Sequence, residues 1–407
     1  MESTDFFKAV FGVITLFILY KLVYRYAFSR KPKEIEAPKA RNDNNDNNEL
    51  TQESSIKEGV SAFLSYVDNF MSKWRQPENE EVVYTDIQVK PELPVIPVFF
   101  ACDDNYFPYL TVTLTSMLQN ASKNYSYKIY VITTNLCDAY EHKLTEYESD
   151  SVEISVVRLK EDLRKITEKF HLRDYYSMET YYRFFIANLF PQYDKVLYLD
   201  CDIAVVGDVA ELYNTEMGNN FVAAVPEEVM TEINEFGEYV EKALDVDRYK
   251  YFNAGIMVMN LAAFRRENIE EKFIDLLTRF KFRVTQDQDY LNVLCKNRVK
   301  LLDLGWNKTA FKNDKFDDAN LKIVHYKIHW KPWHYKNVAY ENLFWDYARQ
   351  TDFYQSLLDM RENYSEESKK RDETAYQKLV QMAIDDTFDT GNYRNMLYKE
   401  HAHHGNL

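Results

Sequence analysis

The sequence predicts an α/β protein built on a mostly parallel sheet with helices on both faces. Beyond Pro94, short β-type runs alternate with helical segments, which is the pattern of strands joined by crossover helices. The strand-like runs are VIPVFFA, KIYVIT, VEISVV, KVLYLD, FVAAV and NAGIMVMN. Helical patterns begin at Pro108, near Ala139 and at Met178. Tyrosine (32) and phenylalanine (26) are abundant while glycine (9) is scarce, which favours a packed body over a repeat or a disordered chain.

The composition bounds what the protein can do. The chain has 407 residues, of which 46% are hydrophobic, enough for one large core with appended segments. The formal net charge is -15 and no basic stripe is present, so we do not expect nucleic acid as a partner. The four cysteines lack any CxxC spacing, which argues against a zinc ribbon or a redox pair, and we expect them to be buried thiols.

The N-terminal segment predicts a membrane anchor. The stretch from Ala9 to Tyr20 is apolar and uncharged, and it continues to Phe28 if Lys21 and Arg25 extend toward the lipid headgroups. A signal peptide and an interfacial helix are the alternatives. Basic residues are denser after the span than before it, which favours a cytosolic location for the rest of the chain. We therefore expect residues 1–30 to form a single-pass transmembrane anchor.

Changes in composition divide the remainder of the chain. Residues 31–94 are polar and contain NDNNDNNEL, which predicts a tether with one short amphipathic helix near residues 60–74. Residues 95–336 hold the alternating pattern and are predicted to form the folded domain. Residues 337–407 are highly charged and helical in pattern, which predicts a helical C-terminal extension.

The strand run KVLYLD ends in Asp200, and Asp202 follows two residues later. In an extended chain these carboxylates project to the same side, so both can bind one hard cation. Such a cation binds the phosphates of a nucleoside diphosphate and stabilises the charge of that group as it leaves. A solvated pair of surface acids is one alternative. Another is a phosphohydrolase with Asp200 as its nucleophile, because a hydrophobic strand followed by Asp-x-Asp also opens that type of site.

Two further clusters follow strand-like runs. After VIPVFFA come Asp103, Asn105 and Tyr106, which can accept a hydrogen bond from a nucleobase such as uracil and stack on its face. An Asx turn that caps the next helix is the alternative. After LKIV come His325, whose neutral imidazole can complete a metal shell, and Lys331, which supplies a positive charge for phosphate. A purely structural His325 is the alternative.

Polar residues also begin two other predicted elements. Asn253 opens the run that contains IMVMN, and Asp287 and Gln288 open a helix. Residues at such positions are usually helix caps or turn residues. Their amide and carboxylate groups can also bind sugar hydroxyls, whose recognition needs many hydrogen bonds.

The order and spacing of these clusters resemble glycosyltransferase family 8, whose members include bacterial lipopolysaccharide galactosyl- and glucosyltransferases and glycogenin. The resemblance runs from about Val95 to Trp333 on FFACDDNY, TYYRF, DKVLYLDCDIAVV, YFNAGIMVMNL, QDQDYLN and HYKIHWKPWH. It implies a GT-A fold, a UDP-sugar donor, Mn²⁺ (or Mg²⁺) and retention of the anomeric configuration. The acceptor would be a glycan, a glycolipid or a protein. Because family members also work in the Golgi lumen, a type II Golgi enzyme is the alternative to a cytosolic catalytic domain.

The resemblance also implies roles for individual residues. The metal ligands would be Asp200, Asp202 and His325. The donor-binding residues would be Ala101, Asp103, Asn105, Tyr106, Asp200, Asn253 and Lys331. Arg183, Asp287 and Gln288 would act in catalysis. Gln288 stands where a nucleophile would be sought, but a carboxamide is a poor nucleophile, so we expect departure and attack on the same face. A leaving phosphate oxygen would then take the proton of the acceptor.

One residue departs from the family's pattern His-x-x-Gly-x-x-Lys. Ile328 stands at the glycine position, where the missing side chain lets the backbone approach the diphosphate. An isoleucine there predicts a reshaped loop, with a donor that is seated differently or bound more weakly. A membrane-tethered binding protein with a degenerate donor site is therefore a further alternative.

Overall fold

The computed structural model describes residues 93–159, 178–312, 315–328 and 330–404. The expected anchor over residues 1–30, nearly all of the tether and the helix near residues 60–74 lie outside these residues. Within the described part of the chain, no helix combines the length and the apolar character needed to cross a membrane.

The central sheet is mostly parallel, as the sequence predicts. The described strands are β1 (Val95–Ala101), β2 (Ser126–Thr133), β3 (Val152–Arg158), β4 (Lys195–Leu199), β5 (Ile203–Val205), β6 (Val222–Pro226), β7 (Phe252–Asn260), β8 (Val299–Leu301), β9 (Lys308–Thr309) and β10 (Ile323–His325). One sheet has the order β3-β2-β1-β4-β7-β6-β8, and a small sheet has the order β5-β10-β9. In the large sheet, β7 runs antiparallel to β4 and β6 while the other neighbours are parallel.

The reversed direction of β7 matters for the position of functional residues. Its register pairs Ile256 with Leu199, the last residue of β4. The residues that open β7, from Asn253 to Gly255, therefore lie beside the carboxyl end of β4. Ligands in open α/β sheets gather at that edge. A residue at the beginning of a strand can thus reach the same place as residues that follow the parallel strands.

The helices connect the strands and complete the C-terminal part. They are α1 (Phe107–Asn120), α2 (Asp138–Leu144), α3 (Ile186–Leu189), α4 (Val209–Tyr213), α5 (Glu228–Glu232), α6 (Asn234–Lys242), α7 (Leu261–Arg266), α8 (Ile269–Arg279), α9 (Asp287–Leu294), α10 (Glu341–Ala348), α11 (Tyr354–Glu362), α12 (Glu366–Phe388) and α13 (Tyr393–His404). The helical pattern predicted from Met178 is a 3-10 helix, Met178–Phe184. Leu304–Asn307 is another short 3-10 segment.

The central strands of the large sheet are buried on both faces. Along β4, Val196 and Tyr198 belong to one hydrophobic cluster, whereas Leu197 and Leu199 belong to a second cluster. Successive side chains of a strand point to opposite faces, so the two clusters lie on the two sides of the sheet. This arrangement confirms the predicted α/β class with its mostly parallel sheet.

The cysteines carry free thiols. The expectation of buried thiols holds for Cys102, Cys201 and Cys295. It is wrong for Cys137, which is half-buried because it lies in the loop that precedes α2.

The C-terminal extension packs on the folded domain. Leu379 and Ala383 of α12 are buried in the same cluster as Phe236 and Val240 of α6. The backbone N–H of Arg394 donates to the carbonyl of Ala243, just after α6, at 2.9 Å. Burial of these apolar groups stabilises the contact. The extension therefore forms part of the domain surface near α6.

Candidate active site

Two carboxylates and an imidazole meet at the carboxyl end of β4. Asp200 follows β4 directly, and Asp202 immediately precedes β5. His325 ends β10, which pairs antiparallel with β5 so that His325 lies opposite Ile203. This pairing brings His325 Nε2 to 3.2 Å from Asp202 Oδ1 and 3.7 Å from Asp200 Oδ2. One ligand atom from each of the three residues lies within 4.8 Å of the others.

The hydrogen bonds around His325 fit a metal-binding tautomer. His325 Nδ1 lies 3.0 Å from Asn307 Oδ1. Asn307 Nδ2 donates to Asn253 Oδ1 at 2.8 Å, which leaves Asn307 Oδ1 as the acceptor for the imidazole N–H. With Nδ1 engaged by Asn307, His325 Nε2 faces the two carboxylates and can give its lone pair to a cation placed between them. Carboxylate oxygens with one imidazole nitrogen are a donor set that suits Mn²⁺, so these residues fit a divalent cation.

Basic side chains balance the charge of the two acids. Lys331 Nζ lies 3.0 Å from Asp202 Oδ2, and Arg183 Nη2 lies 3.3 Å from Asp200 Oδ1. Burial alone would raise the pKa of Asp202, but the neighbouring Lys331 and His325 hold that pKa well below its usual range. Asp202 is therefore ionised at neutral pH and available to a cation.

A glycine makes room for the cluster. The backbone N–H of Asp200 donates to the carbonyl of Gly255 at 2.7 Å, so β7 lies directly against the metal-binding loop. A Cβ atom at Gly255 would come within 2.4 Å of Asp200 Oδ2 and 2.5 Å of His325 Cε1. Any other residue would displace both side chains. Sequence patterns alone assigned no role to Gly255, although it lies two residues after Asn253 in the motif.

Arg183 links the cluster to the start of α9. Its Nε lies 3.3 Å from Asp287 Oδ2, and its guanidinium lies 4.2 Å from the ring centre of Tyr198. Burial raises the pKa of Asp287 to about 7, although Arg183 opposes the rise. Gln288 Oε1 accepts a hydrogen bond from the backbone N–H of Ala254 at 3.0 Å. Arg183, Asp287 and Gln288 all line the same cleft as the metal cluster.

The residues after β1 divide into two groups. Ala101, Asp103 and Tyr106 line the cleft. Asn105 is exposed and does not line it, and its Nδ2 donates to Asp103 Oδ2 at 3.1 Å. Asp103 Oδ1 accepts from the backbone N–H of Tyr106 at 2.9 Å. The turn that the sequence offered as an alternative is therefore present, and Asp103 serves it while still facing the cleft.

Sequence reasoning missed Glu227, which follows β6. Glu227 is 4% exposed, and its Oε2 accepts from Asn253 Nδ2 at 2.7 Å. Its Oε1 forms an ion pair with Lys327, two residues after His325. Glu227 thus joins Asn253 to the loop that carries Lys331. The signal was available, because Glu227 is an acidic residue at the exit of the strand-like run FVAAV.

Ile328 keeps a backbone conformation that favours glycine. Its φ is 57°, in the left-handed region that β-branched residues rarely adopt. Its side chain lines the cleft and packs against the main hydrophobic cluster. The backbone at Ile328 therefore has a conformation that glycine adopts without strain, and the isoleucine side chain forms part of the wall of the cleft.

The cleft has two chemically different ends. One end holds the metal cluster and Lys331. The other end is lined by Val229 and Phe236 and by part of α12, which belongs to the C-terminal extension.

Comparisons with known proteins identify the family. The family model described as "Glycosyl transferase family 8" matches residues 97–337, more than half of the chain. A putative glycosyltransferase of Haemophilus influenzae is 29% identical over 59% of this chain and 73% of its own length. The lipopolysaccharide 1,3-galactosyltransferase of Salmonella typhimurium is 27% identical over 58% of this chain and 72% of its own length.

Solved structures agree with this match. The apo structure of the bifunctional glycosyltransferase WbbM is similar with a TM-score of 0.58 and 28% identity, over 68% of this chain and 53% of that chain. The galactosyltransferase LgtC, solved with donor and acceptor sugar analogues, has a TM-score of 0.52. At 23% identity, over 64% of this chain and all of LgtC, this likeness shows a shared fold. The chain is therefore a glycosyltransferase that belongs to glycosyltransferase family 8.

Proposed function

We propose that the protein transfers a hexose or pentose from a UDP-sugar to a glycan, glycolipid or protein acceptor, with Mn²⁺ and with retention of the anomeric configuration. The observation that carries the proposal is the convergence of Asp200, Asp202 and His325, with Lys331 beside them. The two acids and the imidazole can hold a metal ion, and the neighbouring ammonium of Lys331 can bind the phosphates. Together these groups suit a metal-bound diphosphate.

The proposed donor position follows from the charges in the cleft. A divalent cation held by Asp200, Asp202 and His325 would stabilise the negative charge of the departing diphosphate. Lys331 would bind the same diphosphate, because its ammonium lies beside Asp202 and is 4% exposed. Tyr106 lies next to Lys331, with 5.5 Å between its ring centre and Nζ, and it would contact the uridine.

The proposed reaction occurs on one face of the donor sugar. The side-chain carbonyl oxygen of Gln288 accepts a hydrogen bond from the backbone N–H of Ala254. Asp287 is 2% exposed and forms an ion pair with Arg183. Neither side chain is well placed to attack the anomeric carbon. The bond from that carbon to the diphosphate would break while the acceptor hydroxyl attacks from the same side. The leaving phosphate oxygen would take the hydroxyl proton.

A panel of UDP-sugars tests the proposal by metal-dependent hydrolysis. With Mn²⁺ present, we expect the chain to release UDP from one of them, and we expect EDTA to abolish release. Asp202→Asn removes one anionic ligand and should lower the rate by roughly 10³-fold, the upper end of effects from a single charge-stabilising group. Asp247→Asn, at a half-exposed acid outside the cleft, should leave the rate unchanged.

The two alternatives give different results in the same assay. A phosphohydrolase with Asp200 as nucleophile would cleave simple phosphate esters, and family membership favours sugar transfer over that reading. A degenerate binder would bind UDP with Mn²⁺ and release no UDP from any donor. Full activity of the Asp202→Asn variant would contradict the assigned metal site.

We also propose that residues 9–28 anchor the enzyme in a membrane with the catalytic domain in the cytosol. The support is the apolar segment and the basic residues that follow it. Membrane fractionation should recover the full chain in the membrane and a chain without residues 1–30 in the supernatant. Protection of the catalytic domain from protease in intact vesicles with the cytosolic side out would favour the type II Golgi alternative.

A further inference from the structure

One face of α12 forms part of the wall of the cleft. Asp372, Ala375, Tyr376 and Leu379 all line it. Their spacing of three, four and seven residues places them on a single face of the helix. The match to the family model ends at residue 337, so this wall comes from outside the matched domain. The face is a feature of this chain for which the family match gives no role.

The helix that carries this face is held in place. Leu379 is 8% exposed and Ala383 is fully buried in the main hydrophobic cluster. Asp386, near the end of α12, forms an ion pair with Arg283 in the segment before α9. Apolar burial and an ion pair therefore hold α12 in place before any ligand arrives. A ligand can bind to it without the entropy cost of ordering the helix.

Tyr376 gives the wall an aromatic surface. Its ring is half-buried and meets the edge of Phe236 with 6.4 Å between the ring centres. Val229 and Met230 line the same end of the cleft. Sugar rings present C–H groups on one side, and these pack on aromatic and aliphatic side chains while hydroxyls bind polar groups at the rim. The apolar end therefore suits a sugar ring better than a nucleoside diphosphate.

Asp372 gives the wall a hydrogen-bond acceptor. The hydroxyls of Tyr335 and Tyr364 both donate to Asp372 Oδ2, at 2.6 Å and 2.7 Å. Both bonds go to Oδ2. Within the described parts of the chain, Oδ1 is therefore left to accept a hydrogen bond from a ligand hydroxyl. Burial raises the pKa of Asp372 to about 6, which leaves the group mainly ionised at neutral pH. A buried negative charge favours a neutral ligand and repels a phosphorylated one.

We propose that this face of α12 binds the terminal sugar of the acceptor, a neutral glycoside whose ring packs on Tyr376 and whose hydroxyl donates to Asp372. The inference rests on the proposed function, because it assigns the metal end of the cleft to the donor. Tyr335 lies four residues after Lys331 and donates to Asp372, so the acceptor wall and the donor loop are joined by one hydrogen bond.

Saturation-transfer NMR with methyl β-D-galactoside and methyl β-D-glucoside tests the inference directly. UDP and Mg²⁺ are included, because Mg²⁺ does not broaden proton signals as Mn²⁺ does. The full-length chain should transfer saturation to at least one glycoside. Tyr376→Ala should weaken its binding by about tenfold, which corresponds to about 1.4 kcal/mol. Tyr249→Ala, at a tyrosine that is 67% exposed and outside the cleft, should leave the signal unchanged.

A second variant tests the charge. Asp372→Asn keeps an oxygen for the two tyrosine hydroxyls but removes the negative charge, so it should improve binding of galactose 6-phosphate and glucose 6-phosphate relative to the unaltered chain. Circular dichroism checks that each variant is folded. Equal glycoside binding by Tyr376→Ala and Tyr249→Ala would overturn the inference, and so would the absence of any signal with the unaltered chain.

Calorimetry of UDP binding separates this inference from the proposed function. If UDP binds with the metal while the glycoside signal is insensitive to Tyr376, the acceptor site is wrong and the donor site stands. If UDP does not bind while the glycoside signal is lost in Tyr376→Ala, the sugar site stands and the proposed donor is wrong.

Discussion

Two buried lysine–carboxylate pairs near the cleft have the same chemistry and different surroundings. Lys308 lies 3.2 Å from the Glu228 carboxylate, and its side chain is fully buried. Lys331 lies 3.0 Å from Asp202, and its side chain is 5% exposed. Burial and distance alone do not distinguish the two pairs. Their remaining hydrogen bonds do.

The ammonium of Lys308 is saturated. Besides Glu228, it donates to the carbonyls of Thr309 at 2.9 Å and Phe311 at 3.2 Å, which uses the three N–H groups of a lysine. Among the residues that the structure describes, the Lys331 ammonium donates to Asp202 alone. Spare donor capacity, rather than burial, therefore marks a lysine that can bind a ligand. Lys308 serves the fold, and Lys331 has donors left for a diphosphate.

Removing Lys308 tests the structural half of the comparison. Lys308→Met leaves the Glu228 carboxylate buried without its cation, and we expect the free energy of unfolding to fall by about 3–5 kcal/mol. Urea unfolding followed by circular dichroism measures the change. The double variant Lys308→Met, Glu228→Gln should recover part of the loss, because the uncompensated charge is gone. A loss below about 1 kcal/mol would show that the pair is not structural.

Removing Lys331 tests the other half. With saturating Mn²⁺, which compensates Asp202, Lys331→Met should leave the free energy of unfolding nearly unchanged. It should weaken UDP binding by about 100-fold, or about 2.7 kcal/mol, because a charge-assisted contact to the diphosphate is lost. Calorimetric titration of UDP measures the effect, and Lys336→Met at an exposed lysine is the control. Unchanged UDP affinity in Lys331→Met would break the comparison.

The pH dependence of stability tests whether His334, three residues after Lys331, is buried as the structure shows. Its ring stacks on Tyr364 with 4.0 Å between the ring centres. Burial lowers the pKa of His334 from 6.5 to about 4, with a smaller contribution from Lys331. Between about pH 4 and 6.5, the unfolded chain therefore binds more protons than the folded chain. The stability that the neutral ring contributes is complete above about pH 6.5 and is lost as the pH falls toward 4.

The variant His334→Phe keeps the stacking and removes the titration. Between pH 6.5 and 4, we expect the unaltered chain to lose about 1–2 kcal/mol more stability than the variant, after allowance for the partial exposure of the ring. Urea unfolding at a series of pH values measures the difference. Parallel pH profiles for the two proteins would contradict the buried position of the ring.

Substitutions of Ile328 test the backbone conformation of the loop that carries Lys331. Their expected effect on stability is the smallest of these predictions. Glycine tolerates the left-handed φ of 57°, whereas alanine does not. The pair Ile328→Gly and Ile328→Ala both remove the large side chain, so their difference reports the backbone alone. We expect the glycine variant to be more stable by about 1 kcal/mol in thermal unfolding. Higher stability of the alanine variant would show that the residue is not left-handed.

The sequence was informative where chemistry follows a strand directly. Asp200 and Asp202 could be paired on one cation because residues two apart in an extended chain share a side. The amide of Asn253 indicated a possible contact with sugar hydroxyls, but the local sequence could not place it beside Asp200, since its position depends on the reversed direction of β7. That direction comes from the order of strands in the sheet, which local periodicity does not encode.

Other parts of the site depend on contacts that only the folded chain creates. Glu227 reaches Lys327 across a hundred residues, and sequence spacing does not specify such a partner. The helical spacing of the residues in α12 is visible in the sequence. That spacing does not say which surface of the domain the helix covers. The donor-binding role of Asn105 stays a prediction from the family motif, because the structure leaves this residue exposed and hydrogen-bonded to Asp103.

In the proposed site, two acids at the end of β4 and the imidazole of β10 share one cation. Anomalous diffraction at the manganese edge, from crystals grown with Mn²⁺ and UDP, locates that cation. We expect a peak bound by oxygens of Asp200 and Asp202 and by His325 Nε2, at about 2.0–2.3 Å from each ligand atom. Crystals with UDP in the cleft and no manganese peak between these three side chains would contradict it.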